Sequence, residues 1–299
     1  MPAVDRERFL FRQEQAPFWI IIAMAAVSTA AILIKLSESH PLTIALWRLI
    51  IAEAILLPFA IPSIRKELTL LDRRTMLGLM LVGLALAMHF TLWIWSFQFT
   101  TVASSVLLVT THPVFVAVIS FIAFGERLSS RVVAGMALAL IGSVLVIGGD
   151  LSFSGEALKG NLLALGGGVM AGLYILAGSR FRKKLSLSTY AFLVYGPASL
   201  FLLAASLTAG VLLTPGDPNE YLLFFLLAVG PMLAGHTIYN WALRYVSPTV
   251  ISVTLLGEPV GSSIMAFFIL SENPGTGALI GGPVVLLGIF LVARYARSQ

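Results

Sequence analysis

Between Thr75 and Gly125 the chain runs for 51 residues without an aspartate, glutamate, lysine or arginine. Shorter uncharged runs cover 16–34, 160–179 and 185–216. A bilayer-spanning helix needs about 20 predominantly apolar residues, and it satisfies its own backbone polar groups. The longest run is therefore two helices joined by a hairpin near "FQFTTVASS". Only 11% of the residues are charged and 58% are hydrophobic, whereas a soluble domain carries about 25% charged residues. The polar connections are too short to hold a soluble domain. The chain reads as an all-α polytopic membrane protein with the lipid bilayer as its solvent.

Apolar runs between turn signals place ten transmembrane helices, near 17–36, 41–62, 75–97, 102–123, 131–148, 160–179, 188–210, 220–243, 248–270 and 276–294. Counted in alternate connections, sixteen lysines and arginines fall on one side, from Arg6 to Arg297, and Lys159 alone falls in the loops of the other. The positive-inside rule then puts both termini in the cytoplasm and the protein in the inner membrane. The net charge of +5 follows from this topology, and no nucleic-acid partner is expected. The cluster "RFRKK" at 180–184 reads as a topology determinant. "MPAVDRERFLFRQEQ" has no signal-peptide pattern, so the first helix is expected to stay as an anchor. With no cysteine in the chain, disulfides, thiolate metal sites and a cysteine nucleophile are excluded.

Shifting the sequence by 146 residues lays Pro113 on Pro259, Glu126 on Glu272, Gly135 on Gly281 and Gly142 on Gly288. The same shift lays Trp95 on Trp241 and Trp93 on Tyr239. Several matches at one offset indicate two repeats of five helices. The expected division is a segment 1–15, a first repeat over 16–149 and a second over 150–299. Five is odd, so the second repeat enters the membrane in the opposite sense to the first. Inverted repeats characterise secondary transporters, whose substrate sites lie near the midplane between the halves.

The stretch "ASSVLLVTTHPVFVAVISFIAFGERLSSRVVAGMALALIGSVLVI" carries Pro113, Gly125, Glu126, Arg127, Gly135 and Gly142. "LWRLIIAEAILLP" carries Arg48, Lys35 ends the first helix, and "LLGEPVGSSIMAFFILSE" carries Glu258, Pro259 and Glu272. In these features the chain resembles the EamA-type permeases of the drug/metabolite transporter superfamily. It departs from them at Ser271, where glycine is preferred, and at Asn273, where arginine is common. Ala25 and Ala171 stand where tryptophans are frequent, which implies a roomier cavity. The resemblance implies a ten-helix basket that exports small organic metabolites, often amino acids, with a central cavity between helices one, three, four, six, eight and nine.

Ionisable residues at membrane depth cost at least about 2.5–3.5 kcal/mol on insertion scales and are functional candidates by default. On helix three, His89, Trp93 and Ser96 share one face by i, i+4, i+7 spacing. They suit a carboxylate and an apolar or aromatic group, or else a packed histidine with an interfacial tryptophan. On helix eight, His236 and Asn240 form an i, i+4 pair beside Tyr239, either as a cavity wall or as interhelical hydrogen bonding. His112 and Glu258 occupy equivalent places, each directly before a proline. Pro113 and Pro259 leave the carbonyls of Val109 and Leu255 without their usual donors, and read as paired hinges beside a water-lined site. Glu258 suits an amino group or a coupling proton. Ser28 and Tyr174 are further candidates for the wall. Arg48 and Glu53, five residues apart, miss the best same-face spacing and are expected to pair with other helices and hold the bundle together.

A channel would need a carbonyl filter or a ring of like charges, and neither is present. No metal-protease motif appears, and no aspartate pair suited to phosphate chemistry. "GGGVMAG" lies inside a span with no preceding strand, so it reads as small-residue helix packing. No cofactor or metal is implied. The reading is an exporter, working as a monomer, of amino acids including aromatic ones, with drug-like amines as the alternative substrates.

Overall fold

The computed structural model describes residues 3–125, 127–147, 155–270 and 275–296, and among these there is no strand. Ten helical passes follow one another. They are α1 (Ala3–Ser28, resuming over Ala30–Leu36), α2 (Pro41–Glu67), α3 (Arg73–Ser96), α4 (Val102–Val109 and His112–Phe124), α5 (Ser130–Ile147) and α6 (Gly155–Arg182). Then come α7 (Leu187–Thr208), α8 (Glu220–Ala242), α9 (Pro248–Thr254, Leu255–Gly257 and Glu258–Leu270) and α10 (Thr276–Tyr295). Among the described residues, nine are long and apolar enough to cross a bilayer, and α5 is a shorter apolar helix. Several outrun the predicted spans: α1 starts at Ala3, α6 at Gly155, and α2 continues to Glu67. Hydropathy marks where lipid ends, whereas charged residues continue a helix well beyond it.

The repeat is visible in how the helices start. Thr101 caps α4 by accepting from the Ser104 amide at 3.1 Å, and Ser247 caps α9 by accepting from the Val250 amide at 3.4 Å. His40 and Ser186 likewise cap α2 and α7. Each pair is separated by the same shift of 146 residues. Burial is inside out relative to a soluble protein. Phe59, Ile122, Leu200 and Phe268 are exposed on the outer surface, while Arg48, Thr110, Asn240 and Glu258 are buried. This is the arrangement lipid selects.

The two halves meet most closely along α5 and α10. A Cβ on Gly135 would stand 3.1 Å from the Gly288 carbonyl, and one on Gly142 would stand 3.0 Å from the Gly281 carbonyl. Since Gly281 is the repeat partner of Gly135 and Gly288 that of Gly142, each glycine faces the partner of the other. The contact is antiparallel and self-complementary, as a two-fold axis relating inverted repeats requires. Removing the side chains lets the backbones approach. Gly142→Val is expected to lower the thermal midpoint of the purified protein clearly, since overpacking costs about 1–3 kcal/mol. Gly166→Ala, whose Cβ would meet only Leu92 at 3.4 Å, is expected to leave it near wild type.

The prolines of α4 and α9 do something other than bend a continuous helix. The first segment of α4 stops at Val109, Thr110 and Thr111 form a turn, and a new segment starts at His112 with Pro113 in its first turn. In α9 a 3-10 stretch, Leu255–Gly257, separates two helical segments, and Pro259 stands in the first turn of the second. Proline is tolerated there because its missing N–H is one the helix start leaves unpaired anyway. The Leu255 carbonyl regains a donor, the Glu258 amide. The Val109 carbonyl is covered by Gly168 of α6, where a Cβ would stand 2.7 Å away. Glu126, Ser271, Glu272 and Asn273 lie outside the described residues.

The cluster at 180–184 is not wholly a solvated charge run. Arg182 is 2% exposed. Its Nε donates to the Asn240 carbonyl at 2.8 Å and its Nη1 to the Leu185 carbonyl, tying the end of α6 to α8.

Candidate functional site

Six helices enclose a cavity between the halves. Val27 and Ala30 come from α1, His89 and Trp93 from α3, and Val109, Thr110 and His112 from the break in α4. Ala171, Tyr174 and Ile175 come from α6, and Pro231, His236, Tyr239, Asn240 and Leu243 from α8. Ile251, Leu255 and Glu258 come from α9. Eight polar or aromatic residues singled out in the sequence thus share one wall: His89, Trp93, His112, Tyr174, His236, Tyr239, Asn240 and Glu258. The free space measures about 40 Å³, enough for a few waters. Although Ala171 stands in this wall, the cavity in this conformation is close-packed rather than roomier.

Local structure explains how α8 presents three of these groups. Residues Ala228–Thr237 are wound as a π-helix with Pro231 inside it. Such widened turns are frequent at functional sites. Here the widening precedes Tyr239 and Asn240, which, with His236, stand on the cavity face. On α3, the His89 and Trp93 rings stack at 5.8 Å with 10° between their planes. His89 Nδ1 donates to the Gly167 carbonyl at 3.0 Å, which leaves Nε2 for the cavity. Across the interior the His236 ring lies 6.2 Å from that of His89 and 6.2 Å from that of Tyr174.

A hydrogen-bonded frame supports the wall. Asn240 Nδ2 donates to the Tyr174 hydroxyl at 2.6 Å and to the Tyr195 hydroxyl at 3.2 Å. Tyr195 meets Thr237 Oγ1 at 2.9 Å, and Thr237 donates to the Met232 carbonyl at 3.1 Å. Tyr195 and Arg182, which complete this frame, were not singled out in the sequence. Tyr195 lies in an uncharged run without polar periodicity, and Arg182 sits in a basic cluster whose topological reading accounts for it fully.

Among the described residues, three buried polar atoms of this wall have no hydrogen-bond partner: Trp93 Nε1, His112 Nδ1 and Asn240 Oδ1. Leaving such a group unsatisfied costs about 1–3 kcal/mol. Unpartnered donors and acceptors on residues that line one cavity are what a polar ligand or ordered water can complete.

Two candidates are placed elsewhere. Ser96 is fully buried, with its hydroxyl 2.6 Å from Ser105 Oγ and donating to the Trp93 carbonyl at 2.6 Å. It shares a face with His89, but seven residues are about 10 Å along the axis, which carries it past the cavity to the α3–α4 contact. Ser28 donates to the Met24 carbonyl at 2.7 Å, and its own carbonyl accepts from Ser262 Oγ at 2.9 Å, so it joins α1 to α9. Of the two residues expected to pair across helices, Glu53 accepts from Ser199 Oγ of α7 at 3.5 Å. Arg48 forms no ion pair among the described residues, and its guanidinium lies over the Phe90 ring at 4.0 Å. No cluster of three or more potential metal ligands occurs among the described residues.

Inverted five-helix repeats around an interior polar cavity define a membrane transporter fold. The chain belongs to the EamA-like transporter family, which matches residues 15–148 and 158–294. A relative from Archaeoglobus fulgidus named "Uncharacterized transporter" is 26% identical over 268 residues, 86% of this chain and 89% of its own. A relative from Streptantibioticus cattleyicolor named "Probable terminal-alkyne amino-acid exporter" is 25% identical over 193 residues, 63% of each chain. One crystal structure superposes with a TM-score of 0.78 at 17% identity, covering 96% of this chain and 99% of that one, which shows the shared fold. The family and its relatives are transporters, not enzymes.

Proposed function

We propose that the protein exports amino acids, aromatic ones among them, across the inner membrane by alternating access, as a monomer with both termini in the cytoplasm. The observation that carries this reading is the set of unpartnered polar atoms on residues that line the cavity between the repeats. A substrate with both donors and acceptors would complete them, and the stacked His89–Trp93 pair offers a flat surface to an apolar or aromatic side chain. Glu258 supplies the counter-charge for an ammonium group. The relative named as an amino-acid exporter supports the substrate class. In this reading the repeats 16–149 and 150–299 rock about the breaks at Pro113 and Pro259, exposing the cavity to each side in turn.

The test is counterflow of radiolabelled threonine, methionine and phenylalanine into proteoliposomes. Saturable counterflow is expected, with the apparent affinity lowered about tenfold or more in Trp93→Ala and His89→Ala, in line with about 1–3 kcal/mol for each lost contact. Lys159→Ala, outside the cavity, is expected to behave as wild type. Absence of counterflow for every amino acid, from inserted and folded protein, overturns the substrate class. Counterflow of drug-like amines in its place would establish the alternative.

A further inference from the structure

Among the described residues, Glu53 finds a donor in Ser199 and His89, His112, His236 and Glu258 line the cavity, which leaves Arg48 outside both arrangements. Arg48 is fully buried on α2, and a guanidinium stays protonated under all conditions. Its contacts meet its charge only in part, through a cation–π contact. The face of Phe90 covers it at 4.0 Å, and Nη2 reaches only the Met232 sulfur at 4.0 Å. Nε and Nη1 are buried with no hydrogen-bond partner among the described residues. Each of the two donor edges of the guanidinium therefore ends in an unsatisfied nitrogen. A buried cation left in this way is costly, and a carboxylate bound edge-on is the group that matches it best.

The surroundings place this cation one side chain behind the cavity. Phe90 meets the His236 ring edge-on at 5.4 Å and the His89 ring at 4.9 Å, and both histidines line the cavity. Met232, the other cover, is an unbranched and adaptable side chain. Glu258, across the cavity wall, feels the charge of Arg48 without touching it. A buried cation and a buried carboxylate are thus held apart around one closed space.

We propose that Arg48 is the carboxylate-binding residue of the transport cycle, reached when Phe90 and Met232 move from between it and the cavity. The proposal rests on the amino-acid reading and deepens it: the substrate is a zwitterion whose ammonium faces Glu258 and whose carboxylate docks on Arg48. The site thereby selects against amines and amides that lack the carboxylate.

The experiment measures ligand-dependent thermal stabilisation of the purified protein with threonine, methionine and phenylalanine, and with the amide of each. Wild type is expected to bind at least one amino acid at least tenfold more tightly than its amide. Arg48→Gln is expected to abolish that ratio by weakening the amino acid alone. Arg48→Lys, which keeps the charge and loses the planar fork, is expected to fall between. A purely structural arginine would lower the melting temperature of the unliganded protein and leave the ratio unchanged, which overturns the proposal. If Arg48→Gln does not fold, Arg48→Lys gives the same reading. Equal binding of amide and amino acid by wild type overturns the proposal without any variant. If no amino acid binds, the amino-acid reading falls as well; if one binds and the ratio survives both substitutions, this proposal falls alone.

Discussion

Glu258→Gln is expected to reduce saturable amino-acid counterflow by one to two orders of magnitude while the protein still inserts and purifies. Glu258 is a buried acid on the cavity wall, at the start of the second segment of α9. The substitution keeps its volume and removes its negative charge. A hydrogen bond to a charged partner contributes about 1.5–3 kcal/mol, which converts to roughly 10–150-fold in affinity. The loss should appear in the apparent KM for the amino acid. A fall in the maximal rate at unchanged KM would instead assign Glu258 to the conformational step or to ion coupling. Glutamine at wild-type activity would remove this carboxylate from the mechanism.

Restoring the two missing backbone donors is expected to have an effect of comparable size on a different quantity. In Pro113→Ala/Pro259→Ala, residues 113 and 259 regain N–H groups; the first can bond the Val109 carbonyl and the second can share the Leu255 carbonyl with the Glu258 amide, so both helices can close across their breaks. If the breaks are hinges, the maximal counterflow rate should fall about tenfold or more, because each turn of the cycle must reopen helices that gain about 0.5–1.5 kcal/mol per added hydrogen bond. Equilibrium binding to the cavity should be nearly unchanged. A double variant with wild-type turnover would show that the breaks are static packing features.

Much of the architecture was legible because lipid imposes few solutions. Uncharged runs located the passes, and the 146-residue shift gave the repeat. What escaped depends on depth and on winding. Helical periodicity predicts the face a side chain occupies but not its height, which is why Ser96 reads as a neighbour of His89 and lies beyond the cavity. The π-turn at Ala228–Thr237 leaves no periodic trace in a segment rich in glycine, alanine and proline. The prolines of α4 and α9 announced a disturbance, yet a kink and a restart share the same local sequence. Gly168, lying against the Val109 carbonyl, belongs to α6, far along the chain. Arg48 marks a different limit: a charge at membrane depth is conspicuous in sequence, whereas the lack of a partner becomes visible only when all neighbouring helices are in place.

The glycine contact between α5 and α10 also bears on how the protein comes to be. During synthesis α10 emerges after the nine helices before it, so the smooth face of α5 around Gly135 and Gly142 must wait in the bilayer until nearly the whole chain has been made. The first repeat can assemble its own helices early, yet its closest partner across the two-fold arrives last. Assembly of the two repeats therefore includes a late closing step, and a ribosome stalled before α10 would leave a half-finished basket with a bare glycine seam open to lipid and to other chains.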